Sequence, residues 1–432
     1  MVLRRELIVA VVVMGGCAGA GDEEEQVSSA CTSIVDAGLA DMGAVPDALA
    51  PSDGTFIRPL PGLTPAQLAL FNEGRTAFET AEDVADGLGP IFNGNACAQC
   101  HKQGGTGGGS NIFETRFGRL LGNTFDPLAN LGGSLLQDFS IGSQGTPPGC
   151  FFPTEVVPPQ ANHTTLRRSL ALFGDGLIDS VTEAELMLIA QLERLVTPTT
   201  AGRVSMAQNL ATQVPVPSRF GWKAQVPNLF QFSGNAYVNE MGITNPQFPL
   251  ENCPNQEPNC PLVQRCNPAP GLNDDGSDVQ AFTNFMRFLA PPPRGPITLQ
   301  VKLGEAVFVA TGCANCHLPT LVTGPSDVAA LSHKTFHPYS DLLLHDMGSL
   351  GDGISGQQMD ASFVDGNATP REMRTQPLWG VRIVQRLLHD GRATTFAEAI
   401  LAHTGQGQAA RDRFARLRGP SREALLAFLG SL

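Results

Sequence analysis

The clearest hydrophobic periodicity lies in LTPAQLALFNEGRTAF, residues 63–78, where Leu68, Phe71 and Phe78 recur on one helical face and Thr64-Pro65 supplies a start signal. This predicts an amphipathic helix. A second is predicted in ITLQVKLGEAVFVATG, residues 297–312, from Val301, Leu303, Val307 and Phe308. A third, shorter one lies in TTFAEAILAHTG, residues 394–405, where Thr395 and Glu398 form a capping box and Thr404-Gly405 a stop. On it Phe396, Ile400 and His403 follow i, i+4, i+7, which puts the imidazole on the apolar face. Elsewhere 47 Gly and 33 Pro punctuate the 432 residues, predicting short elements joined by many loops. APPPRGP, Ala290 to Pro296, breaks the pattern between two halves and sets a domain boundary, giving units 60–295 and 296–432.

The first residues read differently. Arg4 and Arg5 precede an apolar run from Leu7 to Met14, too short to span a bilayer, and then Gly15-Gly16-Cys17. This predicts an export signal over residues 1–16 of the lipoprotein type, with Cys17 as the lipid-anchored first residue. The acidic, small-residue stretch from 17 to 59 reads as a tether, and the expected location is the periplasm, at the membrane. Removing residues 1–16 deletes two Arg and one Glu, so the net charge moves from −13 to −14. Nucleic acid is excluded as a partner on that balance, and a basic redox protein fits it.

Ten cysteines sort by position. One is Cys17; Cys31, Cys150, Cys253, Cys260 and Cys266 are free to form disulfides after export, with pairing open and an odd one left over. The remaining four stand in one word written twice, CAQCH at Cys97–His101 and CANCH at Cys313–His317. C-x-x-C-H is the covalent haem attachment pattern: two thiols on one turn form thioethers with the porphyrin vinyls, and the adjoining His ligates iron. A split zinc site would need halves about 15 to 20 residues apart, whereas Cys100 and Cys313 are 213 positions apart. A thioredoxin-like dithiol gives no reason for the His both times. Two covalently bound haem c groups are therefore expected, each word preceded by a predicted helix and the second helix leading directly into CANCH.

The duplication extends further. RSLALFG, Arg168 to Gly174, follows the first word and RTQPLWG, Arg374 to Gly380, follows the second, both reading R-[ST]-x-x-L-[FW]-G. With RFGWKAQVPNLFQF, NEMGITNPQFP, YSDLLLHDMG and LLHDGRATTFAEAILAHTG, nearly the whole chain from Leu63 resembles the bacterial di-haem oxidoreductases described as thiol oxidoreductases, relatives of the di-haem cytochrome c peroxidases. The resemblance implies a mainly α fold of two cytochrome c-like haem domains with loop-rich insertions. It also implies electrons entering at the C-terminal haem and hydrogen peroxide meeting the N-terminal one. The peroxidases hold a calcium ion between domains, but the sequence offers no dense acidic loop for one.

A sixth ligand separates electron transfer from chemistry at a haem iron. Downstream of the second word stand His333, His337, His345, His389, His403, Tyr339 and several Met. The helical pattern favours His403, and the resemblance implies the same, since it occupies the place where the peroxidases carry a Met. For the first haem, His163 is the only His between His101 and His317. By resemblance it stands near a displaceable distal ligand, the alternative being an open iron. Glu240 in NEMG resembles the peroxidase V-E-M-G glutamate that moves the peroxide proton, and Trp222 in FGWKA the F-W-D-G-R-A tryptophan that relays electrons between haems. His345 and His389 are expected to serve haem propionates or backbone.

The expected function is an exported di-haem peroxidase taking electrons from a small redox protein or cytochrome and passing them to peroxide or another small oxidant. A pure electron carrier with both irons six-coordinate is the alternative, and an oxidase of a protein or thiol substrate a further one.

Overall fold

In the computed structural model the described residues are 56–122, 124–253, 260–355, 357–360 and 363–432. The export signal, Cys17, Cys31 and the tether as far as residue 55 lie outside them. Helix outweighs strand, 34% against 16%, and among the described residues no helix is long and apolar enough to cross a membrane. The elements that build the site are α1 (Pro65–Glu79), β1 (Phe113–Leu121), β2 (Thr124–Asp126), β3 (His163–Arg168), α2 (Glu183–Val196), α3 (Leu229–Met241), α4 (Ser277–Phe288), α5 (Leu299–Ala310), β4 (Leu344–Asp346), β5 (Glu372–Arg374), α6 (Phe396–Leu401) and α7 (Gly419–Leu429). β1 is the centre of a three-stranded antiparallel sheet in the order β2-β1-β3, and β4 pairs antiparallel with β5. Such strands carry no apolar alternation to announce them; β3 reads HTTLRR.

The helix starts follow the sequence. Thr64 caps α1 through a capping box with Gln67, Thr298 caps α5, and Thr395 with Glu398 caps α6. Phe71, Phe78, Val301 and Phe308 face inward as predicted, but Leu68 is 41% and Leu303 53% exposed, so each inward face is shifted. The buried stripes are Phe71, Gly74 and Phe78 on α1, and Val301, Gly304 and Phe308 on α5, the same i, i+3, i+7 pattern.

The glycine in each stripe is the reason for the shift. A Cβ on Gly74 would overlap the Ala281 carbonyl oxygen of α4, and one on Gly304 the Ala424 carbonyl oxygen of α7. Each helix pair therefore approaches backbone to backbone. Four residues on, the aromatic rings meet: Phe78 lies 5.0 Å from Phe285, and Phe308 5.1 Å from Phe428. Gly-x-x-x-Phe packs on Ala-x-x-x-Phe in both halves, so the duplication read in the haem words is repeated in the packing.

One core runs from Phe56 to Leu343 and a second from Val301 to Leu432, so residues 318–343 beyond the APPPRGP break serve the first. Cys150 pairs with Cys266 and Cys253 with Cys260, fastening the insertion around 141–152. The four cysteines of the repeated words are free.

Candidate functional site

The second word follows its glycine-bearing helix α5 directly, whereas a loop of residues 80–96 separates the first from α1. Cys97–Cys100 forms a single helical turn and Cys313–Asn315 a 3-10 turn, each closed by a bond from the His N–H to the first Cys carbonyl. The Phe of the preceding stripe faces the imidazole, Phe78 at 6.0 Å from His101 and Phe308 at 6.3 Å from His317. His101 Nδ1 is tied to the Gly108 carbonyl at 3.2 Å, and His317 Nδ1 to that of Tyr339 at 3.0 Å. A carbonyl at Nδ1 fixes the tautomer and leaves Nε2 with its lone pair, as a metal-ligating His requires. Burial pushes both imidazoles down to about 4, which keeps them neutral.

At the second word, His403 has the same arrangement, with Nδ1 on the Ala399 carbonyl at 2.8 Å. It stands beyond α6, which ends at Leu401, and the bond back to Ala399 holds its ring in line with the helix. His403 is near enough to His317 for their charges to interact. Other residues from the list of alternatives are engaged elsewhere: His337 by Thr320, the Tyr339 hydroxyl by Glu305 and His345 by Asp341, while His333 is exposed. His345 Nδ1 also lies 3.5 Å from Cys316 Sγ. Cys316, Asp341 and His345 could hold a metal ion by distance, with ligand atoms within 4.8 Å of one another. A thioether at Cys316 would remove the thiolate from that set.

At the first word, the last turn of α3 brings Glu240 against the loop entering CAQCH. Its carbonyl accepts from the N–H groups of Asn93 (2.7 Å) and Gly94 (3.2 Å), and its carboxyl accepts from Asn93 Nδ2 at 3.2 Å. That carboxyl also interacts with Glu114 of β1, and both acids bear on Cys100. Burial, then the Glu114 charge, pushes Glu240 up to about 8. Glu114 was not singled out from the sequence; FETRFG contains nothing to mark it without the sheet register. His163 is placed on β3 opposite Gly118, with Nε2 at 2.8 Å from the Asp352 carbonyl. It is thus tied through the opposite ring nitrogen to His101, His317 and His403.

Trp222 lies between the two copies of R-[ST]-x-x-L-[FW]-G. Its indole N–H donates to the Arg168 carbonyl at 2.9 Å, the Arg168 guanidinium lies 5.5 Å from its ring, and its own carbonyl accepts from the Arg374 N–H at 2.9 Å. His389 meets the indole edge-on at 6.2 Å. The copies also touch at their ends, where a side chain on Gly174 (φ +78°) would run into Trp379. Next to Trp222 in the chain, Lys223 meets the fully buried Asp352 at 2.7 Å, which Arg167 holds from the other side at 2.6 Å.

These residues fit a haem at each word. The thiols are free, each adjoining imidazole is bonded through Nδ1, and among the described residues His389 Nε2, 4.0 Å from Asp390, and Arg374 Nε are buried with no hydrogen-bond partner. Orphaned donors of that kind suit the carboxylates a haem carries.

A family model described as "Di-haem oxidoreductase, putative peroxidase" matches residues 160–432, a span that holds the second word and not the first. No curated protein matches the chain. Among solved structures, the Kuenenia stuttgartiensis hydrazine synthase pressurised with xenon is similar at 14% identity and a TM-score of 0.38, over 84% of this chain and 87% of that one. A MauG-like protein associated with microbial copper homeostasis is similar at 13% identity and a TM-score of 0.32, over 87% and 93%. Likenesses at these scores carry no argument.

Proposed function

The chain belongs to this di-haem oxidoreductase family, and from that premise we propose that it is an exported, lipid-anchored di-haem c-type peroxidase. Haem would be held covalently by Cys97 and Cys100 with His101, and by Cys313 and Cys316 with His317. Bound there, the haems would supply redox-active iron, with an exchangeable position at the first site.

The asymmetry of the two sites carries this reading. His403, within reach of the His317 charge, would close the second site for electron storage, while the carboxyl that bears on Cys100 of the first word is Glu240. A carboxyl beside a peroxide can take the proton from one oxygen and return it to the other, turning a poor leaving group into water. Trp222, bonded to Arg168 of one repeat and Arg374 of the other, provides the contact between the halves for electrons delivered by a small, basic redox protein. Export and lipidation at Cys17 complete the proposal and rest on the sequence pattern, placing the protein in the periplasm at the membrane.

Glu240→Gln tests the chemistry. Peroxide turnover by the holoprotein should fall by about 10²- to 10⁴-fold, the usual worth of a positioned acid-base group, with both haem spectra retained. Undiminished turnover would remove Glu240 from the mechanism.

A further inference from the structure

The acid at the first site is two carboxyl groups rather than one. β1 carries Glu114, whose register partner on β3 is Arg167. Residues directly opposite in an antiparallel pair project to the same side of the sheet, so the Arg167 charge reaches Glu114. Arg116, two residues along β1, closes a two-pronged ion pair on Glu114 at 2.9 and 3.0 Å. Arg167 is anchored in turn to the buried Asp352, which also binds Lys223. From the other side α3 presents Glu240, bonded to Asn93 and set against Glu114. Residues 136 and 137 tie the two elements together, the Leu136 N–H donating to the Thr115 carbonyl at 2.9 Å and Gln137 Nε2 to the Asn239 carbonyl at 2.7 Å. Cys100 of the first word completes the surroundings.

Two carboxyl groups buried against each other hold one proton between them, because like charges that close cannot both ionise. The neighbours decide where it rests. Burial alone would raise Glu114, but Arg116 and then Arg167 outweigh it and hold it below the ordinary carboxylate value, so Glu114 is the resident anion. Glu240 sits in the last turn of a helix, where negative charge is disfavoured, and keeps the proton.

We propose that Glu114 and Glu240 act as a single one-proton pair, with Glu114 a positioning residue that sets the protonation of Glu240. The proposal rests on the peroxidase reading. A lone protonated Glu240 could not take a proton from peroxide. With Glu114 behind it, Glu240 accepts the proton of one peroxide oxygen while passing its own to Glu114. The pair then returns one proton to the other oxygen, the O–O bond breaks and water leaves. Two electrons from the redox-protein donor and two protons from solvent complete H₂O₂ + 2e⁻ + 2H⁺ → 2 H₂O, and the pair ends with the single proton it began with.

Infrared pH titration of the holoprotein reads the pair without turnover. The difference between wild type and Glu240→Gln isolates one neutral carboxyl band that persists at pH 7. In Glu114→Gln that band should vanish on titration at least about one pH unit lower, since the like charge is gone, and the alkaline limb of the peroxide pH profile should move with it. Glu114→Asp retains the anion and should restore both. A Glu240 titration unmoved in Glu114→Gln, or moved equally in Glu114→Asp, overturns the pairing. If the band behaves as expected but no variant or wild type consumes peroxide, the pair stands and the peroxidase reading fails.

Discussion

Asp352→Asn tests how the region around Trp222 is held together. The carboxylate is fully buried between Arg167 and Lys223, themselves 4% and 2% exposed. Asn keeps the oxygen that accepts from the Ile354 N–H and Lys223, but sets an NH₂ group against Arg167, so the substitution removes both the charge and the acceptor of the guanidinium. It leaves two buried cations facing each other. Breaking a buried ion pair from one side costs about 3–5 kcal/mol. At roughly 2.1 cal/mol/K of unfolding entropy per residue, a chain of 432 residues should lose about 3–6 °C in Tm, and more if only part of it unfolds first. Circular dichroism of the holoprotein measures this, with Arg75→Ala as the control. The Arg75–Glu79 pair is 41% and 39% exposed, and its loss should move Tm by less than about 1 °C. The pH dependence has a definite sign. Burial would raise Asp352, but Arg167 and Lys223 outweigh it and hold it well below the ordinary value. Its contribution is complete above the unfolded carboxylate pKa near 4 and is lost as pH falls through the depressed folded value. The variant should therefore show its full deficit at pH 7 and a shrinking one in acid. An Asp352→Asn protein as stable as wild type at pH 7 would refute the reasoning.

Gly304→Ala drives a methyl group into the Ala424 carbonyl and should cost at least about 1–3 kcal/mol, whereas Gly430→Ala, with its nearest atom at 3.4 Å, should be neutral; equal thermal stability of the two would dissolve the close-packing argument. His403→Ala should open the second site, turning its low-spin signal high-spin and cyanide-sensitive while the first site's signal is unchanged, and an unaltered EPR spectrum would remove His403 as a ligand. Trp222→Phe keeps an aromatic side chain but loses the indole and its bond to the Arg168 carbonyl; electron transfer between the haems after rapid reduction should slow with both haem spectra preserved, and an unchanged rate would take Trp222 out of the path.

The sequence was most legible where a local rule acts. Thr64, Thr298 and Thr395 cap helices because their hydroxyl oxygens reach N–H groups within three residues, a relation written in the chain itself. The haem words are likewise local. The buried helix faces were misjudged because an apolar count favours Leu68 and Leu303, while the close approach depends on Gly74 and Gly304, which contribute no hydrophobicity. Residues whose meaning arises from pairing across the chain were not legible. Glu114 acquires its role from Arg167 across the sheet and from Glu240 on a helix more than a hundred residues later, and Asp352 from two cations on separate segments. His163 shows a further limit: its position in the sequence says nothing about which ring nitrogen is engaged, and the Asp352 carbonyl at Nε2 sets it apart from the other three.

The central claim is that the repeated word serves two unlike sites, one closed for storing electrons and one open for chemistry. EPR of the oxidised holoprotein, recorded before and after adding cyanide, tests it most directly. The expected spectrum holds one low-spin haem that ignores cyanide and disappears in His403→Ala, together with one high-spin haem that binds it. Two low-spin haems, both inert to cyanide, would contradict the account and leave an electron carrier.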